Sequence, residues 1–210
     1  MRRIVAVLAA VVFVVSSVLH LAAQVTGDPF WINVTIFVPV FALLVCFVAA
    51  VRRWDTTARF TVLGLGFSWL GDGVGSISLT VKIGFFLVAQ LCYIVAFLPL
   101  WRQIPRRRLR IAAYAVVVVV VVAMLLPMAG SLAPAVVAYG VALGLMALLA
   151  GGLGPIAAVG GGLFLVSDTL LGVQQFSPVR LPMHGLLIMV TYLVAQVLLA
   201  SQVMRTRLRA

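Results

Sequence analysis

The sequence has no glutamate, and its acidic residues are four aspartates, Asp28, Asp55, Asp72 and Asp168. Charged residues of either sign make up 9% of the 210, against about 25% in a water-soluble globular chain. So little charge excludes water as the main solvent. Cysteine is nearly absent too. Cys46 and Cys92 lie far apart inside separate apolar runs, which gives neither a disulfide framework nor metal-ligand spacing, and both are expected as small buried hydrophobes. Walker A, HExxH, GxSxG and CxxC spacings are all missing. That argues against NTPase, zinc protease and serine hydrolase chemistry, and no metal or organic cofactor is expected.

What the chain has instead is long hydrophobic runs, which with the other apolar residues reach 65% of the sequence. They fall at about 4–23, 31–51, 60–79, 83–101, 111–128, 134–150, 155–173 and 183–204. Each approaches the roughly 20 residues needed to cross a ~30 Å hydrocarbon core as a helix. Turn or charge signals separate them, among them Gly27-Asp28-Pro29, Arg52-Arg53-Trp54-Asp55, Lys82 and Pro105 with its arginines, then Gly130 to Pro134, Gly151 to Pro155 and Pro178 to Pro182. The expected fold is all-α: a polytopic transmembrane bundle of about eight spans in one domain over residues 1–210. The breaks after the third and sixth runs are short and predict tight antiparallel hairpins. Met1-Arg2-Arg3 and the run after it have the look of a secretory signal, but the run is long enough to span, so an uncleaved first helix is expected.

The net charge of +11 points to topology rather than nucleic acid. Of the 15 basic residues, all but Lys82 and Arg180 fall at alternate run ends, which become one face of the membrane when the number of spans is even. The positive-inside rule makes that face cytoplasmic, with both termini inside. For a bacterial chain the membrane is the plasma membrane.

Asp28 and Asp55 lie in loops, whereas Asp72 and Asp168 each fall about 12 residues into a run. At 1.5 Å per residue both are expected roughly 18 Å along their helices, near or just beyond the midplane. An aspartate there costs about 2.5–3.5 kcal/mol on the insertion scale, and such residues usually line an interior cavity and mark function. Helical spacing puts Gly64, Ser68, Asp72 and Ser76 on one stripe, and Gly161, Asp168, Gly172 and Gln175 on another. The fourth run offers Lys82, Phe86, Gln90, Tyr93 and Phe97. The eighth offers His184, Thr191, Tyr192 and Ala195, with Gln196 one step around. Pointing these groups at one shared cavity is the simplest way to satisfy them. Gly71, Gly73, Gly75 and the Gly160–Gly162 run would let the backbones approach closely. His20 and His184, near outer boundaries, are expected to be ordinary boundary histidines, and the Val116–Val122 run to face lipid or packing surface. Gly71-Asp72 and Ser167-Asp168, each followed one run later by a tyrosine (Tyr93, Tyr192), also hint at a parallel four-helix repeat.

Phe67-Ser68-Trp69-Leu70-Gly71-Asp72, then Ala89 to Phe97, resembles the central signature of the YhhN family of lysoplasmalogenase-like integral membrane proteins. Gly162 to Leu171, carrying Ser167-Asp168, resembles its second signature, and Phe176, Pro178, Thr191-Tyr192 and Gln196 continue the likeness. The resemblance covers about 60–200. It implies eight spans and hydrolysis of the vinyl ether of a lysoplasmalogen to a fatty aldehyde and a glycerophospho-base, with Asp72 and Asp168 matching the family's proposed catalytic aspartates. Ser68, Gln90, Tyr93, Ser167, Tyr192 and Gln196 would support them or bind substrate, Ser68 by a hydrogen bond to Asp72. Gln90 stands where the family often has histidine, and the Lys-Pro of the second span is reduced to Pro39. The chemistry needs an acid for the alkene carbon and a base for water, and two carboxyls sharing one low-dielectric site supply that pair. The partner is then a membrane lysolipid, with no nucleic acid involved. A proton-coupled transporter uses buried carboxyls in the same way, and a non-catalytic lipid-binding protein is the third alternative.

Overall fold

The computed structural model of the chain describes residues 1–74 and 78–208. Gly75, Ser76 and Arg209 lie outside them. The described residues fold into helices and their connections, with no strand among them. The helices are α1 (Arg2–Thr26), α2 (Pro29–Thr35), α3 (Phe37–Ala50), α4 (Thr56–Val74), α5 (Leu79–Phe97), α6 (Arg107–Leu125), α7 (Ala133–Ala150), α8 (Pro155–Phe176) and α9 (His184–Leu208). With α2 and α3 taken together as one crossing, 7 candidate membrane spans emerge by length and hydropathy. The less apolar α4, which carries Arg59, Asp72 and several glycines, completes the expected set of about eight. The chain is a multi-pass helical membrane protein.

Local sequence explains the joints. Gly27 takes a left-handed φ of 70° and closes α1 with its N–H on the Ala23 carbonyl, a conformation that favours glycine. Asp28 then accepts the Phe30 N–H at 2.9 Å, and Pro29 opens α2. The second expected run is broken at Ile36, between α2 and α3. Pro39 lies four residues beyond Thr35; its ring has no N–H to donate and crowds that carbonyl. At the α7–α8 hairpin Gly154 has φ 122° and ψ 179°, a region that only glycine occupies readily, and Pro155 starts α8.

The tightest partners are α4 with α5, α8 with α9, and α1 with α3, while α7 ties α5, α6 and α8 together. The first two are the hairpin pairs of the suspected repeat. The interior is built on fully buried Phe47, Leu65, Tyr93, Phe97, Phe164 and Leu199. Phe164 makes T-shaped ring contacts with Tyr192 at 5.6 Å and with Tyr93 at 6.3 Å between ring centroids. On the outside, Val116, Val119 and Val120 of α6 are exposed, as the valine run implied. One end of the bundle gathers the arginines. Arg2 donates to the carbonyls of Val48 and Val51 at 3.2 Å each, Gly151 lies against the Arg110 guanidinium, and Gln202 donates to the Leu153 carbonyl at 3.0 Å.

Candidate functional site

Asp72 and Asp168 are both buried, at 5% and 9% exposure, and each accepts a hydrogen bond from a tyrosine. Tyr192 of α9 donates to Asp72 Oδ2 at 2.9 Å, and Tyr139 of α7 donates to Asp168 Oδ2 at 2.5 Å. The second bond departs from the internal repeat. If α4–α5 and α8–α9 were strict copies, Tyr93 would serve Asp168 as Tyr192 serves Asp72. Tyr93 donates instead to Gln196 Oε1 at 2.7 Å, and Tyr139 comes from a helix between the copies.

The depth of Asp72 also differs from the sequence expectation. Helix α4 starts at Thr56, so Asp72 lies roughly 24 Å along it, in its last described turn, and Asp168 lies roughly 20 Å along α8. Both aspartates are displaced from mid-depth toward the end opposite the arginines. The early start of α4 went unseen because Thr56, Thr57 and Arg59 are polar and mask a helix that has already begun.

The aspartates do not share one cavity. Asp168 faces a largely apolar cavity between α5, α6, α7 and α8, with Phe86, Val122, Leu125, Leu143 and Phe176 in its wall. Asp72 faces a more polar one, which also takes in Gln24, Asn33, Gln174 and Gly185. Lys82 and Leu171 line both. The Lys82 charge acts on both carboxylates, and the two carboxylates also act on one another. The expected common cavity is therefore two adjoining ones with Lys82 on the divide.

Glycine makes the divide possible. A Cβ on Gly71 would come to 2.7 Å from the Phe86 ring, and one on Gly73 to 2.6 Å from Phe37. Without side chains there, α5 and the α2–α3 joint close directly onto α4 beside Asp72. Trp69 fixes that joint by donating to the Phe37 carbonyl at 3.0 Å.

The other expected residues separate into groups. Ser167 Oγ donates to the Ile188 carbonyl at 3.0 Å and so ties α8 to α9 next to Asp168. Ser68 does not reach Asp72; its hydroxyl is buried beside Tyr93 with no partner in hydrogen-bond geometry. Gln90 is fully buried near Tyr139 with both amide atoms unpaired, and Gln196 Nε2 is unpaired as well. All three are buried. Neither histidine touches an aspartate. His184 Nε2 meets the Leu170 carbonyl at 3.0 Å and must donate, while Nδ1 accepts weakly from Leu181 N at 3.5 Å. His20 is fully buried. Thr35 gives its proton to the Trp31 carbonyl, so His20 Nδ1 donates to Thr35 Oγ1 at 2.8 Å and Nε2 accepts from Gln24 Nε2 at 3.2 Å. With its amide nitrogen held in this way, Gln24 presents Oε1 toward Gly185 at the edge of the Asp72 cavity.

Tyr139 and Gln24 were missed as site residues, and Lys82 was seen only as part of a stripe. Tyr139 did leave a signal, as a lone phenol in an otherwise apolar sixth run; Gln24 sits one helical turn after His20. No group of three or more potential metal-ligating side chains occurs among the described residues.

The pattern of the YhhN family matches residues 33–203. The chain belongs to the YhhN family. Comparison with curated proteins and with solved structures gives no match. The match covers both aspartate helices and the helices that supply Tyr139 and Tyr192, and leaves out all of α1 and the first part of α2.

Proposed function

We propose that this YhhN-family protein is an intramembrane hydrolase that cleaves the vinyl ether of a lysoplasmalogen. The observation that carries the reading is the pair of buried, tyrosine-bonded aspartates facing adjoining cavities, one apolar and one polar. A lysolipid has the same division, an apolar chain joined to a polar head, with the ether at the junction.

The residues divide the chemistry between them. Asp168 faces the apolar cavity, where the alkenyl chain lies, and serves as the acid. Tyr139 occupies Oδ2, so Oδ1 carries the proton to the alkene carbon remote from the ether oxygen. The remaining carbon–oxygen unit becomes an oxocarbenium ion. Asp72, in the cavity that water enters, stabilises that cation and removes a proton as water adds to the carbon bearing oxygen. The product is a hemiacetal. Return of a proton to the ether oxygen and loss of one from the new hydroxyl break the carbon–oxygen bond, which releases fatty aldehyde and the glycerophospho-base alcohol. One water is consumed and no oxidation state changes overall. With the arginine-rich end cytoplasmic, as the positive-inside rule implies, this site would lie toward the outer leaflet.

The test is aldehyde release by purified protein in detergent, supplied with lysoplasmalogen, for wild type, Asp72→Asn and Asp168→Asn. Loss of either group is expected to lower the rate by about 10²–10⁴-fold while the protein stays folded. Full activity in either variant refutes these catalytic roles. A folded wild type that releases no aldehyde but moves lipid or protons across a sealed vesicle is a carrier instead.

A further inference from the structure

Lys82 is the only lysine in the chain and, with Arg180, sits apart from the other arginines, one turn into α5 at the opposite end of the bundle. A lysine at a membrane boundary ordinarily extends its ammonium outward to water. This one is half-buried, with Nζ 5.9 Å from the centroid of the Phe86 ring, and it lines both aspartate cavities. It forms no ion pair with either aspartate, although its charge acts on both. A cation that lines both carboxyl cavities and has no hydrogen-bond or ion-pair partner for its ammonium among the described residues can offer its donors to a third group. Around it, the walls change from mostly apolar side chains on the Asp168 side, with Thr169 and Gln175 among them, to Gln24, Asn33 and Gln174 on the Asp72 side.

From this placement we infer that Lys82 is the phosphate anchor of a lysophospholipid site, with the chain in the Asp168 cavity and the head group in the Asp72 cavity. The inference deepens the proposed hydrolase by fixing which way round the substrate lies. A phosphodiester carries one negative charge, and two aspartates nearby would repel it unless a cation stood between. Lysine meets phosphate as a point charge and needs no fixed bidentate geometry. Anchored there, the lipid brings the bond between chain and glycerol to the divide between the two carboxyls. An alkylglycerol has the same chain and ether but no phosphate, so Lys82 selects against it.

Binding of an uncleavable saturated-ether lysophosphatidylcholine to purified protein tests this without any turnover, with 1-O-alkylglycerol of the same chain length as the phosphate-free control. Lys82→Gln is expected to weaken the phospholipid by about ten- to a hundredfold, Lys82→Arg to recover most of it, and alkylglycerol to bind all three proteins alike. Equal phospholipid binding by Lys82→Gln and wild type overturns the assignment. So does equal weakening of both ligands, which would make Lys82 a packing residue. Tight binding of inorganic phosphate alone would make this a free-phosphate site and overturn the lipid placement. Phospholipid binding that depends on Lys82, in a protein that releases no aldehyde from lysoplasmalogen, would leave the anchor standing and sink the hydrolase.

Discussion

Two glycines on α4, two residues apart, are expected to respond oppositely to the same substitution. A Cβ on Gly64 would come to 2.7, 2.8 and 2.9 Å from three ring atoms of Tyr93, whereas one on Gly66 meets nothing within 4 Å. The Tyr93 ring has little room to give way. It is fully buried, stacked on Phe97 at 5.9 Å, edge-on to Phe164 at 6.3 Å, and held through its hydroxyl to Gln196 at 2.7 Å. Relief must come from α4 moving off α5 or from losing the Tyr93–Gln196 bond. Overpacking of this kind costs about 1–3 kcal/mol. Against it stands the gain of alanine over glycine in a helix, about 0.8–1.0 kcal/mol in water, and less where the unfolded chain keeps its helices in lipid. Gly64→Ala is therefore expected to lose about 1–2 kcal/mol, and Gly66→Ala to be neutral or slightly stabilising. Thermal or denaturant unfolding in one detergent, both variants beside wild type, reads the difference directly. Aldehyde release should fall in Gly64→Ala alone, because α4 also carries Asp72. Equal stability of the two variants would refute the claim that Gly64 is there to admit the Tyr93 ring.

Two further outcomes follow from single residues. Tyr139→Phe removes the donor to Asp168 Oδ2 and is expected to slow aldehyde release by about ten- to a hundredfold with little loss of stability; an unchanged rate would mean that Asp168 needs no orienting phenol. Gly154→Ala forces a side chain onto φ 122° at the α7–α8 turn and is expected to cost about 1–3 kcal/mol in the same unfolding assay, so a variant as stable as wild type would show that the hairpin does not depend on that conformation.

Membership of the membrane, the all-helical class and the order of the helices follow from the sequence by itself. A hydrophobic run of about 20 residues with no internal breaker has only one way to satisfy its backbone in lipid, as a spanning helix. The same reasoning marked Asp72 and Asp168, because a carboxylate inside such a run is too costly to be incidental. The Gly27-Asp28-Pro29 joint and the Gly154-Pro155 hairpin were also legible, since backbone conformation there is set by the residues themselves. The proline break at Ile36 was equally local, and the run lengths merely concealed it.

Which tyrosine meets which aspartate was decided only in three dimensions. Tyr93 and Tyr192 looked equivalent by position, yet Tyr139 reaches Asp168 because α7 packs against both α5 and α8. The split into two cavities and the place of Lys82 between them arise the same way, from Gly71 and Gly73 letting α5 and the α2–α3 joint close on α4. Hydrophobic periodicity says that a face is buried but not which neighbour buries it. In a bundle whose helices are nearly all apolar, that choice rests on close packing and on a few hydrogen bonds between residues far apart in the chain.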